Sequence, residues 1–430
     1  MSARQGVVFW FRRDLRLHDN PALCQAIALA KAQDTWLLPV VLRDECALRS
    51  PWGPLARSTR QQAWFDQARA ALQQDLRAQG SDLWVLNDLT ALRQLLHDSG
   101  AQTLVAEAMA APDELAEQRQ LAHQAPWACE WLWQSTLLSP QTLPFAPEAV
   151  PQVFTAFRQA IEAAGLRAEP PVAAPLDWPQ RRPPMDAAPE VVTRPAPPHD
   201  PRSSIEAHRR SGETAALAHW QAFLDRGLPH RYLDTRNQLA GPDFSSQLSL
   251  DLATGALSAR RAVAELDGFE RTHGASKSSY WLWFELMWRE HFRWLHWRHG
   301  VALYRRRGLA TQVRADRATA EDWQRWCSGQ TGEPLVDAGM RELAATGYLS
   351  NRMRQIVASY WIHDMAGDWR AGAAWFQAQL LDEDVYTNQG NWLYIAGLGS
   401  DPRGGRRFDV AKQTAQHDAT AQYRLRWGCA

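Results

Sequence analysis

Val7-Val8-Phe9-Trp10-Phe11-Arg12-Arg13-Asp14-Leu15-Arg16-Leu17-His18-Asp19-Asn20-Pro21-Ala22-Leu23 opens as a strand and turns into a charged loop before a proline. The apolar run from Val7 to Phe11 has no polar alternation, so both faces of that strand are covered. The same pattern returns at Trp36–Leu42, Leu83–Leu86, Thr103–Glu107 and Glu130–Trp133. Arg57–Gln79 and Glu114–Gln124 read as helices between these runs. Continuous apolar strands alternating with helices predict a parallel α/β sheet of Rossmann-like form, here over residues 1–135. No G-x-G-x-x-G follows a strand and no Walker A motif occurs, so neither phosphate-binding fingerprint would hold a nucleotide.

The pattern changes downstream. From about Glu169 to Arg202 the chain is rich in proline, Pro184 and Pro195 among them. Proline removes a donor and fixes φ, so this stretch predicts an extended surface connector, placed at residues 136–202. From 203 to 430 the period becomes helical. Glu213–Arg226, Ala259–Glu270, Tyr280–His299, Ala320–Cys327, Arg352–Met365 and Trp369–Leu380 are the helix candidates. The expected fold class is therefore α/β followed by all-α.

Composition narrows the function. The 430 residues contain no apolar run long enough for a membrane helix. No signal peptide precedes Val7, and the cysteines (Cys24, Cys46, Cys129, Cys327, Cys429) are odd in number and never form C-x-x-C. Both features point to a reducing cytoplasm and away from disulfide or zinc frameworks. Net charge is zero, so nucleic-acid binding would need a local patch. Arg293, Arg298, Arg305, Arg306, Arg307, Arg314, Arg317, Arg403, Arg406 and Arg407, with Arg236 and Arg352, supply one on paper; solvated helix ends would read the same. Tryptophan is in excess at 22, which suits a stacking site, a large helical core, or both.

Four segments concentrate the chemistry. Asp382-Glu383-Asp384-Val385-Tyr386-Thr387-Asn388-Gln389-Gly390-Asn391-Trp392-Leu393-Tyr394 follows no simple helix or strand period. Its Asn, Gln and Gly suggest a turn, either close to a ligand or between core helices. In Tyr280–Phe292, Glu285, Trp288 and Arg289 share a helix face. They form either an internal ion pair or an acid beside an aromatic platform. Asn351, Arg354 and Gln355 share another face, while Arg352 could be a solvated charge. Ser245, Ser246 and Ser249 precede a helix-like run, as capping groups or as a pyrophosphate seat.

Taken together, the opening run and these four segments resemble the photolyase/cryptochrome family, in the form carried by cryptochrome DASH. The resemblance implies an FAD flavoprotein that splits cyclobutane pyrimidine dimers by light-driven electron transfer, a lyase acting preferably on single-stranded DNA as a monomer. Tyr232 and the loop Ser245, Ser246, Gln247, Leu248 and Ser249 would hold the FAD diphosphate; Gln247-Leu248 stands where Lys-Phe is usual and removes one charge. Glu285 would contact the dimer, Trp288 would stack on it and Arg289 would face FAD. Asn351 and Arg354 would line the flavin, Arg352 and Arg236 would meet DNA phosphate, and Gln355 would border the substrate cavity. Asp382, paired to Arg354, and Asp384 would flank the isoalloxazine. Asn388 would sit beside N5 as an amide that delivers no proton. Tyr394 replaces a second stacking tryptophan. Glu285, Asn351, Trp392 and Trp369 are the catalytic expectations, the last two as inner members of an electron-hopping chain. Its outer member would fall at residue 316, which is Asp; Trp323 is the substitute weighed. A methenyltetrahydrofolate antenna would sit where the sequence has Met109. The rival expectations are a blue-light photoreceptor that repairs little and a light-independent flavin reductase.

Overall fold

The computed structural model describes residues 6–43, 48–123, 125–181, 183, 188–241, 243–400 and 404–429. Cys46, Gln124, Pro184 and Arg403 lie outside them. Five strands, β1 (Gly6–Phe11), β2 (Trp36–Leu42), β5 (Trp84–Leu86), β6 (Thr103–Glu107) and β7 (Ala128–Leu132), form one parallel sheet in the order β5-β2-β1-β6-β7. A short hairpin, β3 (Leu48–Ser50) with β4 (Gly53–Leu55), stands apart from it. Val7, Phe9 and Phe11 pack on α1 (Pro21–Ala32) and α2 (Thr59–Ala78). Val8 and Trp10 face α3 (Leu89–Ser99) and α4 (Pro112–Ala122) on the other side. Burial of both faces is why β1, β2 and β6 read as unbroken apolar runs.

The helical part follows. It holds α5 (Phe154–Ala163), α6 (Glu213–Asp225), α7 (Tyr232–Thr235), α8 (Ser249–Thr254), α9 (Ala259–His273) and α10 (Lys277–His299). Then come α11 (Ala320–Cys327), α12 (Pro334–Thr346), α13 (Asn351–Ser359), α14 (Trp369–Gln379), α15 (Val385–Ala396), α16 (Val410–His417) and α17 (Gln422–Arg426). The central member is α10. Its Phe292 and Leu295 enter one core, while Leu282, Trp283, Met287 and Trp294 enter another. No helix among the described residues is long and apolar enough to cross a membrane.

Three expectations need correction. The 136–202 connector is not extended throughout: α5 interrupts it, because Phe154, Phe157 and Ile161 recur at helical spacing and bury against α10. The described residues of 166–202 carry no helix or strand. Second, the 382–394 stretch is no turn. Asp384 caps α15 by accepting the Thr387 N–H at 2.9 Å, and the helix runs on through Gly390. That glycine is required by packing: a Cβ there would lie 2.1 Å from the Phe292 ring of α10. Third, Arg352–Met365 is not one regular helix, since α13 gives way to a π-helical turn at Tyr360–Asp364. Gly367, just beyond, lies so close to the Trp361 ring that a Cβ would meet it at 2.1 Å.

The charged loop of the opening run joins the two parts. Leu17 and His18 donate their backbone N–H groups to the Glu213 carboxylate at 2.6 and 3.1 Å. Arg16 donates to the Gly255 carbonyl at 2.9 Å, and Leu15 N–H to the Thr254 carbonyl at 3.3 Å. Asp19 accepts from the Ser258 hydroxyl and from Arg260, and Arg13 meets Glu383 at 2.9 Å. Asp14, Arg16, His18, Asp19 and Asn20 are all buried, so a loop that reads as solvated is an interior joint.

At the far end, the Tyr423 hydroxyl of α17 donates to Glu342 of α12. Burial raises the Glu342 pKa to about 8, opposed by Tyr423, Arg426 and Arg354. An unfolded glutamate titrates near 4.3, so the folded state binds this proton more tightly. Stability from this group is then full below about pH 4 and is lost as pH rises through about 8. Glu342→Gln is expected to flatten that slope. Thermal unfolding at about pH 5 and about pH 9 should show a larger fall in Tm for the parent than for the variant.

Candidate functional site

Helices α13, α14 and α15 line a cavity of about 500 Å³, part of it open to solvent. Its polar rim is Asn351, Arg354, Gln355, Asp382, Asp384, Asn388 and Asn391; Phe376, Leu380, Trp392 and Ile395 give it apolar walls. Asp382 receives both hydrogen bonds from one nitrogen of Arg354, at 2.7 and 2.9 Å. Burial disfavours the Arg354 charge, but Asp382 outweighs it and the guanidinium pKa is raised. Asp384 is held by Arg293 at 2.7 and 3.2 Å. Burial alone would raise the Asp384 pKa; Arg293, Arg289 and the Thr387 N–H hold it far below the usual carboxylate range. The Arg289 pKa is pushed down to about 9, first by burial and then by Arg293. Asn388 donates to the Ala373 carbonyl at 2.8 Å, which ties α15 to α14. Trp392 reaches the cavity because α14 has Gly372 beneath it, where a Cβ would come within 2.2 Å of the indole.

A second group of side chains flanks this cavity. Glu285 is half-buried and paired with Arg236, whose guanidinium lies 5.4 Å from the Trp281 ring centre. Burial raises the Glu285 pKa, and Arg236 opposes the rise. The phenol of Tyr232 is buried against this pair. Arg352 donates to Asn237 at 2.8 Å. Its charge is disfavoured by burial and then by Arg236, so the two guanidiniums are neighbours. Trp288 stacks on Phe154 at 3.7 Å and meets the Tyr394 ring edge-on at 5.3 Å. Arg406 bonds the Tyr394 hydroxyl.

The structure thus sorts the sequence-predicted residues. Asn351, Arg354, Gln355, Asp382, Asp384, Asn388 and Trp392 share the cavity. Tyr232, Arg236, Glu285, Trp288, Arg352 and Tyr394 form the flank. Ser245, Ser246, Gln247, Leu248 and Ser249 line neither. Gln247 is buried with φ +52 and donates to the Ser204 carbonyl, Leu248 is core, and α8 begins with no side-chain cap. Tyr348 links the loop to the cavity, bonding Ser245 with its hydroxyl while the Arg354 guanidinium lies 5.3 Å from its ring centre. Trp369 is buried away from the cavity and donates to the Arg306 carbonyl at 3.0 Å.

Two charge readings change. Glu285 does not pair with Arg289 but with Arg236, because Arg289 turns to the Ser135 carbonyl and its Nε has no partner among the described residues. Arg293 is not surface charge; it is 2 % exposed and neutralises Asp384. Sequence reasoning missed its role, since its partner lies 91 residues along the chain. Met109 is buried in the helical core and offers a folate no polar group. Next to it, Ala110 N–H donates to the Tyr386 hydroxyl of α15 at 2.9 Å.

At the carboxyl ends of β1 and β2 lies another cavity, about 540 Å³ with part of it open to solvent, lined by the arginines Arg12, Arg13, Arg43, Arg57, Arg69 and Arg194 and by Phe65. Its position is the ligand side of an open parallel sheet.

Chemically, the first cavity offers carboxylate acceptors, a guanidinium donor and carboxamides around apolar walls. That set suits a flat heterocycle bearing both amide donors and acceptors.

Comparison with known proteins agrees. Residues 281–428 match the family model for the FAD binding domain of DNA photolyase, and residues 7–176 match that for DNA photolyase. The chain is 35% identical to the cryptochrome DASH of Vibrio parahaemolyticus, over 98% of its own length and 92% of that protein's. It is 35% identical to the cryptochrome DASH of Synechocystis sp., over 98% and 87%. The solved structure of a Synechocystis sp. cryptochrome matches it with a TM-score of 0.90 at 34% identity, covering 98% of this chain and 88% of that one. A bacterial class III photolyase from Agrobacterium tumefaciens matches with a TM-score of 0.80 at 28% identity, over 98% and 86%.

Proposed function

Because the chain belongs to the photolyase/cryptochrome family, where it stands with the cryptochrome DASH proteins, we propose that it splits cyclobutane pyrimidine dimers in single-stranded DNA under blue light. FAD is its cofactor, and the cavity residues fit a flavin. Asp382 and Asp384 would accept from the ring's N–H, Arg354 would donate to its carbonyl side, and Asn351 and Asn388 would complete the rim. When bound and reduced, FAD supplies under blue light the electron that opens the cyclobutane ring and is afterwards returned.

The observation that carries the proposal is the flank. An acid with a raised pKa, Glu285, sits on the same face of α10 as Trp288, which forms an aromatic pair with Tyr394. Arg236 and Arg352 lie beside it and give phosphate a landing place. Phosphate on Arg236 would loosen its hold on Glu285, and burial would then favour the protonated acid, which donates to a dimer carbonyl. Trp288 and Tyr394 would hold the flipped bases. Extrusion costs least from a strand that is already single, hence the substrate preference. Were a folate antenna bound, a nearby buried acid able to bond it is Glu107, whose Oε2 has no partner among the described residues, rather than Met109.

The test uses photoreduced protein, blue light and matched single- and double-stranded oligonucleotides carrying one thymine dimer. Dimer loss in the single strand is the expected result. Glu285→Ala should slow it on the order of a hundredfold, as removal of one preorganised donor does. Intact dimers in both strands, with the flavin still reduced by light, would overturn repair. The second reading, a photoreceptor that binds nucleic acid without repair, would then stand, favoured by the Arg236 pairing that already occupies Glu285.

A further inference from the structure

Trp392 lines the flavin cavity on one side and touches another indole on the other. Its ring lies 6.2 Å, centre to centre, from Trp326. Trp326 lies 5.6 Å from Trp323, and Trp323 lies 6.0 Å from Trp375. Trp326 is fully buried and Trp323 nearly so, whereas Trp375 is half-buried on α14. The row therefore runs from the cavity wall through the core to the surface. Trp361 adjoins both Trp326 and Trp323 but is itself fully buried, so it leads nowhere. The direction through Trp369 is different. Its indole N–H bonds the Arg306 carbonyl, and the Arg306 side chain is paired with Asp316 at 2.7 Å. Among the described residues no ring pairs with Trp369, and the residue that its N–H bonds carries an ion pair.

We propose that Trp326, Trp323 and Trp375 form the exit for the oxidising equivalent created when light reduces the flavin. The proposal rests on Trp392 being the inner donor. One electron passes from Trp392 to photoexcited oxidised FAD. Trp326 then refills Trp392, Trp323 refills Trp326, and Trp375 refills Trp323. The hole ends on Trp375, whose indole N–H has no hydrogen-bond partner among the described residues to take its proton. An external thiol gives the final electron and releases a proton, and two thiyl radicals so formed couple to a disulfide. Without thiol and in air, the reduced flavin passes its electron to molecular oxygen, and the superoxide so formed combines with the oxidised indole of Trp375, adding two oxygen atoms with no charge left over.

The FAD-loaded protein is illuminated with blue light in air without thiol, and oxidised tryptophan is mapped by peptide mass spectrometry. Oxygen addition at Trp375 is expected. Trp326→Phe should lose it and Trp369→Phe should keep it. Because Trp326 is wholly buried and its replacement could disturb folding, Trp375→Phe is the companion variant. It should slow thiol-dependent flavin reduction while leaving bound FAD unchanged. Unmodified Trp375 in the parent while the flavin is reduced would overturn the proposal, as would oxidation that survives Trp326→Phe. A parent whose flavin is not reduced by light, with Trp392→Phe indistinguishable from it, would instead remove Trp392 as donor.

Discussion

Replacing Asp384 by alanine is expected to lower stability by about 3–5 kcal/mol, the cost of leaving a buried cation without its partner. Arg293 is 3% exposed at its side chain and makes a two-point contact with Asp384. Its guanidinium also lies 4.5 Å from the centre of the Tyr386 ring, so it cannot swing to solvent without unpacking α15. Arg289 stands next to it and is already pushed toward its neutral form. Removing the carboxylate thus leaves two guanidiniums in one interior. It also removes the cap of α15, worth about 1 kcal/mol more. Since Asp384 lines the cavity as well, the variant should emerge with little FAD. Denaturant midpoint and bound-flavin absorbance measure the two effects; an unchanged midpoint would show that Arg293 finds another partner. Asp384→Asn keeps the cap and should fall between.

Gly255→Ala should weaken the joint between the two parts of the chain. Gly255 has φ +76, and a Cβ there would lie 1.9 Å from the Arg13 carbonyl oxygen. The obstacle is backbone, so no side-chain rotation relieves it. Left-handed strain of about 1–2 kcal/mol adds to an overpacking cost of about 1–3 kcal/mol. Hydrogen exchange at Leu15, Leu17 and His18 is the specific readout, because those amides bond Thr254 and Glu213. Gly53→Ala separates the two causes: φ is +109 there, but no atom of the described residues lies within 4 Å. If Gly255→Ala exchanges no faster at those amides than Gly53→Ala, the clash is absorbed elsewhere.

What could be read from residues alone follows from locality. Strands β1, β2 and β6 were legible because each is buried on both faces and leaves an apolar run, while β5 and β7 at the sheet edges are only partly buried. Helices such as α9 were legible because one face is polar. Helix α15 was not, since Tyr386, Gln389, Gly390, Trp392, Leu393 and Ile395 are buried on several sides and no amphipathic period survives. Helix α5 was hidden ahead of the proline-rich stretch. Of the site, the pairing of Asp382 with Arg354 came through resemblance to a known family, not spacing. The Glu285–Arg236 and Asp384–Arg293 pairs were invisible: 49 and 91 residues separate the partners, and a lone charge in a string does not declare whether it is solvated.

The interior joint has a consequence for synthesis. Arg16, His18 and Asp19 leave the ribosome first, yet their acceptors and donors at Glu213, Gly255, Ser258 and Arg260 emerge much later, and the Glu383 partner of Arg13 later still. At about 5–20 residues per second, the wait for residue 383 is roughly 20–70 s. For that interval the nascent α/β part carries a polar seam with no counterpart. A chaperone that shields it, or a slow codon run that prolongs it, would change the yield of native protein without touching a single residue of the cavity.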